Sequence, residues 1–456
     1  MTAHVLPNKL VPVSTLSSMG TRPQLTGGVL APNSALELMN LWFFVSEVDG
    51  EVSISRVEKD GALTHFGLDD FQLLLSNNFV DVGNKHVPII RFWLAHPGRR
   101  ACKVVFEPQR EIQADEYNLF RGFAITRRKG YQKQRGLLRH IWKIICKRDK
   151  TKFRYLIRWL AWSVQNPDRH AEVVIVLMSE AEGCGKSTVG QVMLDIFGQG
   201  KGRHGLLVDN KDQLLGKFNS HLETTCFALG EEVLWAGDHS TADALKSRIT
   251  ASTIPIEEKY RHRREVPNRL HVMLTTNHTW AIPAGVQARR YFVVEVSDEV
   301  AQDKSWFDPL YRDLKDGGTS EFLNLLLNLK LGNWHPREVP KTTELAQQQL
   351  LSAGSVEQWL LACAEMGALA GRAELSCAEL GSIISTQELY EAYSAFTRRR
   401  GARPEATSSF GKVLTKICGR SQRLPANLNP KRPPGYFIPD ASQLAQRVHR
   451  HLKIGP

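Results

Sequence analysis

The chain has 456 residues, with 42% hydrophobic and 23% charged residues and a formal net charge of +12. That length suits two or three domains with at least one sizeable core, and the composition is ordinary for a soluble globular protein. The positive balance points to an anionic partner, nucleic acid being the commonest.

MTAHVLPNKLVPVSTL offers no basic segment followed by an apolar core, so no signal peptide is expected. The longest clean apolar run, Val173–Met178, is far short of the ~20 residues of a membrane helix. Seven scattered cysteines (Cys102, Cys146, Cys184, Cys226, Cys363, Cys377, Cys418) form no CxxC pair, so neither a zinc ribbon nor a disulfide framework is suggested and a reducing cytoplasm fits best.

Residues 1–33, rich in Pro, Thr, Ser and Gly without a periodic pattern, read as a flexible arm. Residues 34–125 read as a mixed α/β N-terminal domain. Within it, LWFFVSEVDGEVSISRV predicts two strands around an Asp49-Gly50 turn. Residues 126–170 read as a basic helical collar or linker. Between 127 and 158, thirteen Lys and Arg residues face one acid, Asp149, while Phe153, Leu156, Ile157, Leu160, Ala161 and Val164 keep helical spacing. A face so short of acids suits phosphates as well as solvent.

Residues 171–300 read as a strand–helix–strand series, and EVVIVLMSEAEGCGKSTVGQVMLDIFG is its most informative part. A short apolar strand leads into a loop closed by Gly185-Lys186-Ser187-Thr188. A helix follows with Val189, Val192, Met193, Ile196 and Phe197 on one face, ending at Gly198. This is the context of a phosphate-binding P-loop. Gly183, Cys184, Gly185, Lys186, Ser187 and Thr188 are therefore assigned to the triphosphate of ATP, with Lys186 bridging phosphates and the Ser187 hydroxyl on Mg²⁺. Glu180 stands where the full pattern has its first Gly, and Glu182 is a second loop acid.

In TTCFALGEEVLWAGD a buried strand at Cys226–Leu229 ends in two acids. Glu231 is assigned to the metal and Glu232 to the attacking water, although the usual metal residue is Asp. In RLHVMLTTNHTW the tip of a third strand presents Asn277, suited to the nucleophilic water or the γ-phosphate. Arg289 and Arg290 follow in GVQARRYFVVEV. An arginine there can stabilise transition-state charge at a neighbouring subunit's site, which requires a closed ring.

The order of these motifs resembles superfamily 3 helicases. The likeness is closer to the helicase domain of phage and plasmid primase–helicases of the vent-phage primase–polymerase group, and more distant to poxvirus D5-like proteins. It runs from about residue 90 to 300 through FWLAHPGRRACKVVFEP, YNLFRGFAI, EGCGKST, GKFNSHLE, EEVLWAGD, LKSRITASTIPIEEK, LTTNHTW and ARRYFVVEV. The resemblance implies an AAA+-like α/β core working as a homo-oligomeric, hexameric ring. It implies hydrolysis of ATP with Mg²⁺ to translocate on single-stranded and forked DNA during phage or mobile-element replication in a bacterial cytoplasm. It implies a pore hairpin, here IEEKYRHRREVPNR, whose Lys259, Tyr260, Arg261, His262, Arg263 and Arg264 combine cations for phosphates with an aromatic for stacking. It places Lys246 near the nucleotide or the pore. Such proteins carry a primase ahead of this region; Asp69-Asp70 do not form a persuasive metal pair, so no primase activity is expected here and a primase would act in trans.

Residues 301–384 read as a helical lid or linker broken at HPREVPK. Residues 385–456 read as helix, turn, helix and basic hairpin. Phe410, Val413, Leu414 and Ile417 form the stripe of the second helix, with Lys412 and Lys416 off it and Lys431 and Arg432 on the hairpin. This predicts a winged-helix-like duplex reader. Two alternatives to a motor stand: a hydrolysis-dead P-loop scaffold or replication initiator, and a P-loop ATPase acting on protein.

Overall fold

The computed structural model describes residues 27–48, 50–233, 239–258, 263–278, 290–371 and 380–452. The N-terminal part contains β1 (Gly28–Leu30), α1 (Pro32–Trp42), β2 (Phe43–Val48), β3 (Glu51–Val57), β4 (Leu63–Phe66), α2 (Leu68–Leu74), β5 (Asn78–Val82), β6 (Lys85–Pro88), α3 (Ile89–Ala95), β7 (Ala101–Val105) and β8 (Glu116–Asn118). Residues 28–33, which the sequence leaves in the arm, form β1 and the start of α1, where Pro32 suits the first helical turn. Val48 pairs with Glu51 across the expected turn, and Gly50 takes the positive φ (+84°) such a turn needs. The main sheet runs β4-β3-β2-β7-β8, and a smaller one runs β1-β5-β6. Phe43, Phe71 and Trp93 are buried between them and the helices.

The basic stretch forms α4 (Arg135–His140), a π-helical turn (Ile141–Ile145) and α5 (Lys150–Gln165). Asp149 caps α5 by accepting from the backbone N–H of Thr151 (2.7 Å) and Lys152 (3.0 Å). The expected apolar stripe is buried apart from the half-buried Phe153, and Tyr155, Trp159 and Trp162 are buried as well. The helix is thus buried over most of its length, with Lys150 and Arg154 exposed near its start. Tyr155 packs on Phe292 and Trp334, and Trp162 on Trp334.

The central layer is a five-stranded parallel sheet built from β9 (Val174–Met178), β10 (Gly205–Val208), β11 (Phe227–Glu231), β14 (His271–Thr276) and β15 (Tyr291–Glu295). Its order, β10-β11-β14-β9-β15, sets the P-loop strand between the last two strands in sequence. Alternate residues serve two cores. Ile175, Leu177, Phe227, Leu229, Met273 and Phe292 face one, with α5 and α6 (Lys186–Phe197). Val174, Val176, Ala228, Val272, Leu274 and Val293 face the other. Burial on both faces explains the unbroken apolar runs. Each fully buried aliphatic side chain contributes roughly 1.5–3 kcal/mol. Between these strands lie α7 (Lys211–Leu215), a 3₁₀ turn (Ser220–Thr224), α8 (His239–Thr250), and the antiparallel pair β12 (Thr253–Ile256) and β13 (Arg264–Pro267).

Beyond the sheet come α9 (Lys304–Asp313), a turn at Leu314–Gly318 and α10 (Thr319–Asn328), then α11 (Thr343–Leu351) and α12 (Ser355–Met366). The last part is β16 (Ser382–Ser385), α13 (Thr386–Arg399), α14 (Thr407–Cys418), β17 (Gln422–Arg423), β18 (Pro434–Ile438) and α15 (Ala441–His451), with sheet order β16-β18-β17. Its core joins Trp359 of α12 to Tyr393, Phe410 and Leu444, so chain ahead of residue 385 packs into it. No helix among the described residues is long and apolar enough to cross a membrane. The six described cysteines are free and buried.

Candidate functional site

The P-loop links β9 to α6. Gly185, with φ +78°, is in the left-handed region, and a Cβ there would lie 2.6 Å from the Phe307 ring and 2.7 Å from the His140 ring. Only glycine fits, by backbone and by space. Gly183 (φ +71°) accepts through its carbonyl from the Gln302 N–H at 3.0 Å, tying the loop to the approach to α9. Cys184 is fully buried in the core under the loop. Glu180 and Glu182 are exposed, so water screens both loop acids.

The carboxyl ends of three strands converge on the start of α6. Lys186, buried at 8% exposure, donates to the Asn277 side-chain oxygen just past β14. The Asn277 backbone N–H donates to a Glu232 carboxylate oxygen at 3.0 Å, and the Thr276 hydroxyl to the same oxygen at 3.3 Å. Glu232 holds a positive φ of +54°, uncommon for a residue with a Cβ, at the end of β11. The Ser187 hydroxyl lies 3.4 Å from that of Thr275, whose register partner is Glu231. Lys186, Ser187, Glu231, Glu232 and Asn277 thus meet at the end of the sheet where open α/β folds bind ligands. Ser187 and Glu231 are the residues here that could hold Mg²⁺, each offering a hard oxygen, with substrate phosphates supplying further ligands.

Two groups that sequence reasoning missed frame the loop. His140 accepts at Nδ1 from the Trp306 indole N–H (3.1 Å) and donates from Nε2 to the Gly185 carbonyl (3.0 Å). An indole nitrogen only donates, so this pair fixes the neutral Nε2–H tautomer. Burial lowers the His140 pKa to the same effect. The second is a cleft of about 840 Å³ between the loop with α6 and the segment 302–319, where Phe307 and Tyr311 stack at 5.8 Å. Spacing of four on a helix could have shown those rings on one face. No local signal marks His140, which reaches the loop from another element.

The remaining candidates are spread over the molecule. Arg290, half-buried, begins β15, and its carbonyl accepts from the Val174 N–H at 2.9 Å; Arg289 lies outside the described residues. Lys246 is half-buried on α8. Lys259, Tyr260, Arg261 and His262, between β12 and β13 in sequence, lie outside the described residues. Arg264 makes a two-pronged ion pair with Glu223 (2.6 Å for each bond), which fixes it at the base of the hairpin. Arg263 is exposed, 3.7 Å from Glu265. Lys412 and Lys416 share the exposed face of α14, and Lys431 and Arg432 are exposed between β17 and β18.

Four cations of the collar are engaged by distant acids. Lys133 pairs with Asp313 and Asp316, Lys147 with Glu295, Arg148 with Glu299 and Lys152 with Glu344. Lys150, Arg154 and Arg158 stand one turn apart on α5 beside a groove of about 250 Å³ that Trp334 and Glu338 also line. Among the described residues no carboxylate makes an ion pair with these three.

A family model described as a family of unknown function (DUF5906) matches residues 177–290, from the end of the P-loop strand to Arg290. No curated protein matches the chain. The apo structure of the NrS-1 C-terminal region is similar over 90% of this chain and 99% of its own, at 14% identity and a TM-score of 0.63. Its A-form apo structure is similar over 90% and 100%, at 14% identity and a TM-score of 0.65. The likeness is one of fold and extends well beyond the P-loop core.

Proposed function

We propose that the chain is an ATP-driven, nucleic-acid-translocating motor of the superfamily 3 helicase type. The observation that carries this reading is the linked Lys186–Asn277–Glu232 network at the carboxyl ends of adjacent parallel strands, beside a cleft large enough for a nucleotide. In the proposed cycle an arriving triphosphate draws Lys186 away from Asn277 onto phosphate oxygens. The freed Asn277 amide then orients the attacking water, while Glu232, held by the Asn277 backbone N–H, takes its proton. Ser187 and Glu231 would hold Mg²⁺, which neutralises charge on the β- and γ-phosphate oxygens. His140 keeps Gly185 in its left-handed conformation without adding charge. Arg289 and Arg290 complete the site of a neighbouring subunit in a hexameric ring.

On the nucleic-acid side, the β12–β13 hairpin tracks the strand and α14 with the β17–β18 loop contacts duplex. Support comes from the net charge of +12, from Lys150, Arg154 and Arg158 of α5, which pair with no carboxylate among the described residues, and from the exposed cations of α14. ATP-dependent separation of a forked duplex, measured with the ring state by light scattering, tests this reading. Strand separation by a ring supports it; intact DNA binding with no separation at any ATP concentration overturns it for a scaffold.

A further inference from the structure

The cleft beside the P-loop has two unlike walls. One is the loop with the first turns of α6, including Lys186, Thr188 and Gln191; the other is α9 and the turn after it, including Phe307, Tyr311 and Leu314. Phe307 is buried and seated against Gly185. Tyr311, one turn later, lies nearly parallel to it, with 19° between the ring planes and 5.8 Å between the centroids. Tyr311 is 48% exposed, yet it is not loose, because its hydroxyl is 3.1 Å from that of the buried Thr188. The ring is therefore fixed at its tip by α6 and backed by Phe307, with its remaining surface open to the cleft. Exposed aromatic surface already held in place is suited to stacking a flat ring, because little side-chain entropy remains to be lost on binding. Thr188 is the last of the residues assigned to the triphosphate. A ligand with its phosphates on Lys186 thus has Tyr311 within the same cleft, on the α9 wall.

We infer that Tyr311 is the base platform of the nucleotide site: the nucleobase of a bound nucleoside triphosphate stacks on the open side of its ring, whose hydroxyl is anchored on Thr188 at the end of the phosphate-binding segment. This rests on the P-loop reading and adds to it the place of the base. Gln191 and Asp195 on α6 and Asp308 on α9 line the same cleft and supply polar partners for the base edge and the ribose hydroxyls.

Titration calorimetry of the full chain with Mg·ATP and with Mg·tripolyphosphate, which has the phosphates but no base, tests the assignment. Tyr311→Ala is expected to weaken ATP about tenfold, as loss of a base–aromatic stack does, and to leave tripolyphosphate unchanged. Tyr311→Phe, which keeps the ring and removes the bond to Thr188, is expected to retain ATP affinity. Equal weakening of both ligands by Tyr311→Ala would mean that Tyr311 shapes the loop through Thr188, and would overturn the base platform. Unchanged ATP affinity would overturn it as well, while leaving the P-loop reading intact. A wild-type chain that binds neither ligand would remove the P-loop reading, and the base platform with it.

Discussion

The P-loop and the basic stretch ahead of it hold their charged groups by different means. Around the loop, Lys186, Asn277 and Glu232 bond to one another across strand ends that the sheet brings side by side. In the basic stretch, four cations instead reach acids far along the chain, at Glu295, Glu299, Asp313, Asp316 and Glu344. The exposed or half-exposed pairs among these contribute about 0–1 kcal/mol each, whereas Lys152–Glu344 is largely buried. Their larger consequence is to dock the basic stretch on the segment that follows the sheet and to take cations away from any external anion. Lys150, Arg154 and Arg158, which pair with no carboxylate among the described residues, line one groove together. Charge counted along a chain therefore overstates the surface offered to phosphate, whereas a network built on strand ends is offered to the ligand whole.

Substitutions can break this contrast at either end. The largest effect is expected for Glu232→Gln. Removing a general base should lower kcat by roughly 10²–10⁴-fold while nucleotide affinity is retained, as measured by steady-state turnover beside calorimetry; a variant with unchanged kcat would show that Glu232 is not the base. Gly185→Ala comes next. A methyl pressed on Phe307 and His140, at a positive φ, should cost on the order of 1–3 kcal/mol and lower the melting temperature.

The collar gives a quantitative test. Lys150→Ala, Arg154→Ala and Arg158→Ala together should reduce the salt slope of single-strand binding by about 2, near 0.7 for each lost phosphate contact. Lys133→Ala, Lys147→Ala and Arg148→Ala together should leave the slope unchanged. Equal slopes for the two triple variants would erase the distinction between engaged and free cations.

The smallest effect concerns pH. Burial lowers the pKa of His140, and lowers those of His204 and His271 to about 4. Below about pH 6.5 the unfolded chain takes up protons that these histidines refuse in the fold, so the unfolded state binds more protons and stability falls with pH. The melting temperature should decline from about pH 6.5 down to about pH 4, and the decline should be shallower in His204→Gln. A flat profile across that window would contradict the buried neutral histidines.

What the sequence reveals follows the same division. The strand, GKST turn and helix form one continuous stretch whose geometry is local, so the P-loop is legible in the residues alone. The tips at Glu232 and Asn277 are legible as strand ends, but their bond to each other depends on β11 and β14 being neighbours, which no local pattern states. The stripe on α5 is visible, yet the burial of Trp159 and Trp162 is not, because their cover comes from other elements, Trp334 among them. β10, four residues of GLLV at the sheet edge, is too short and too exposed to stand out. Tyr311 has a polar neighbourhood in sequence and becomes a wall of the cleft only once α9 lies against α6.

The central claim is that this site turns over ATP under the control of nucleic acid. The most direct measurement is steady-state ATP hydrolysis with and without single-stranded DNA, for the wild-type chain and Lys186→Ala. The expected outcome is turnover that rises strongly with DNA and disappears in the variant. Absence of turnover in both proteins, with DNA binding intact, would contradict it and leave a nucleic-acid-binding scaffold.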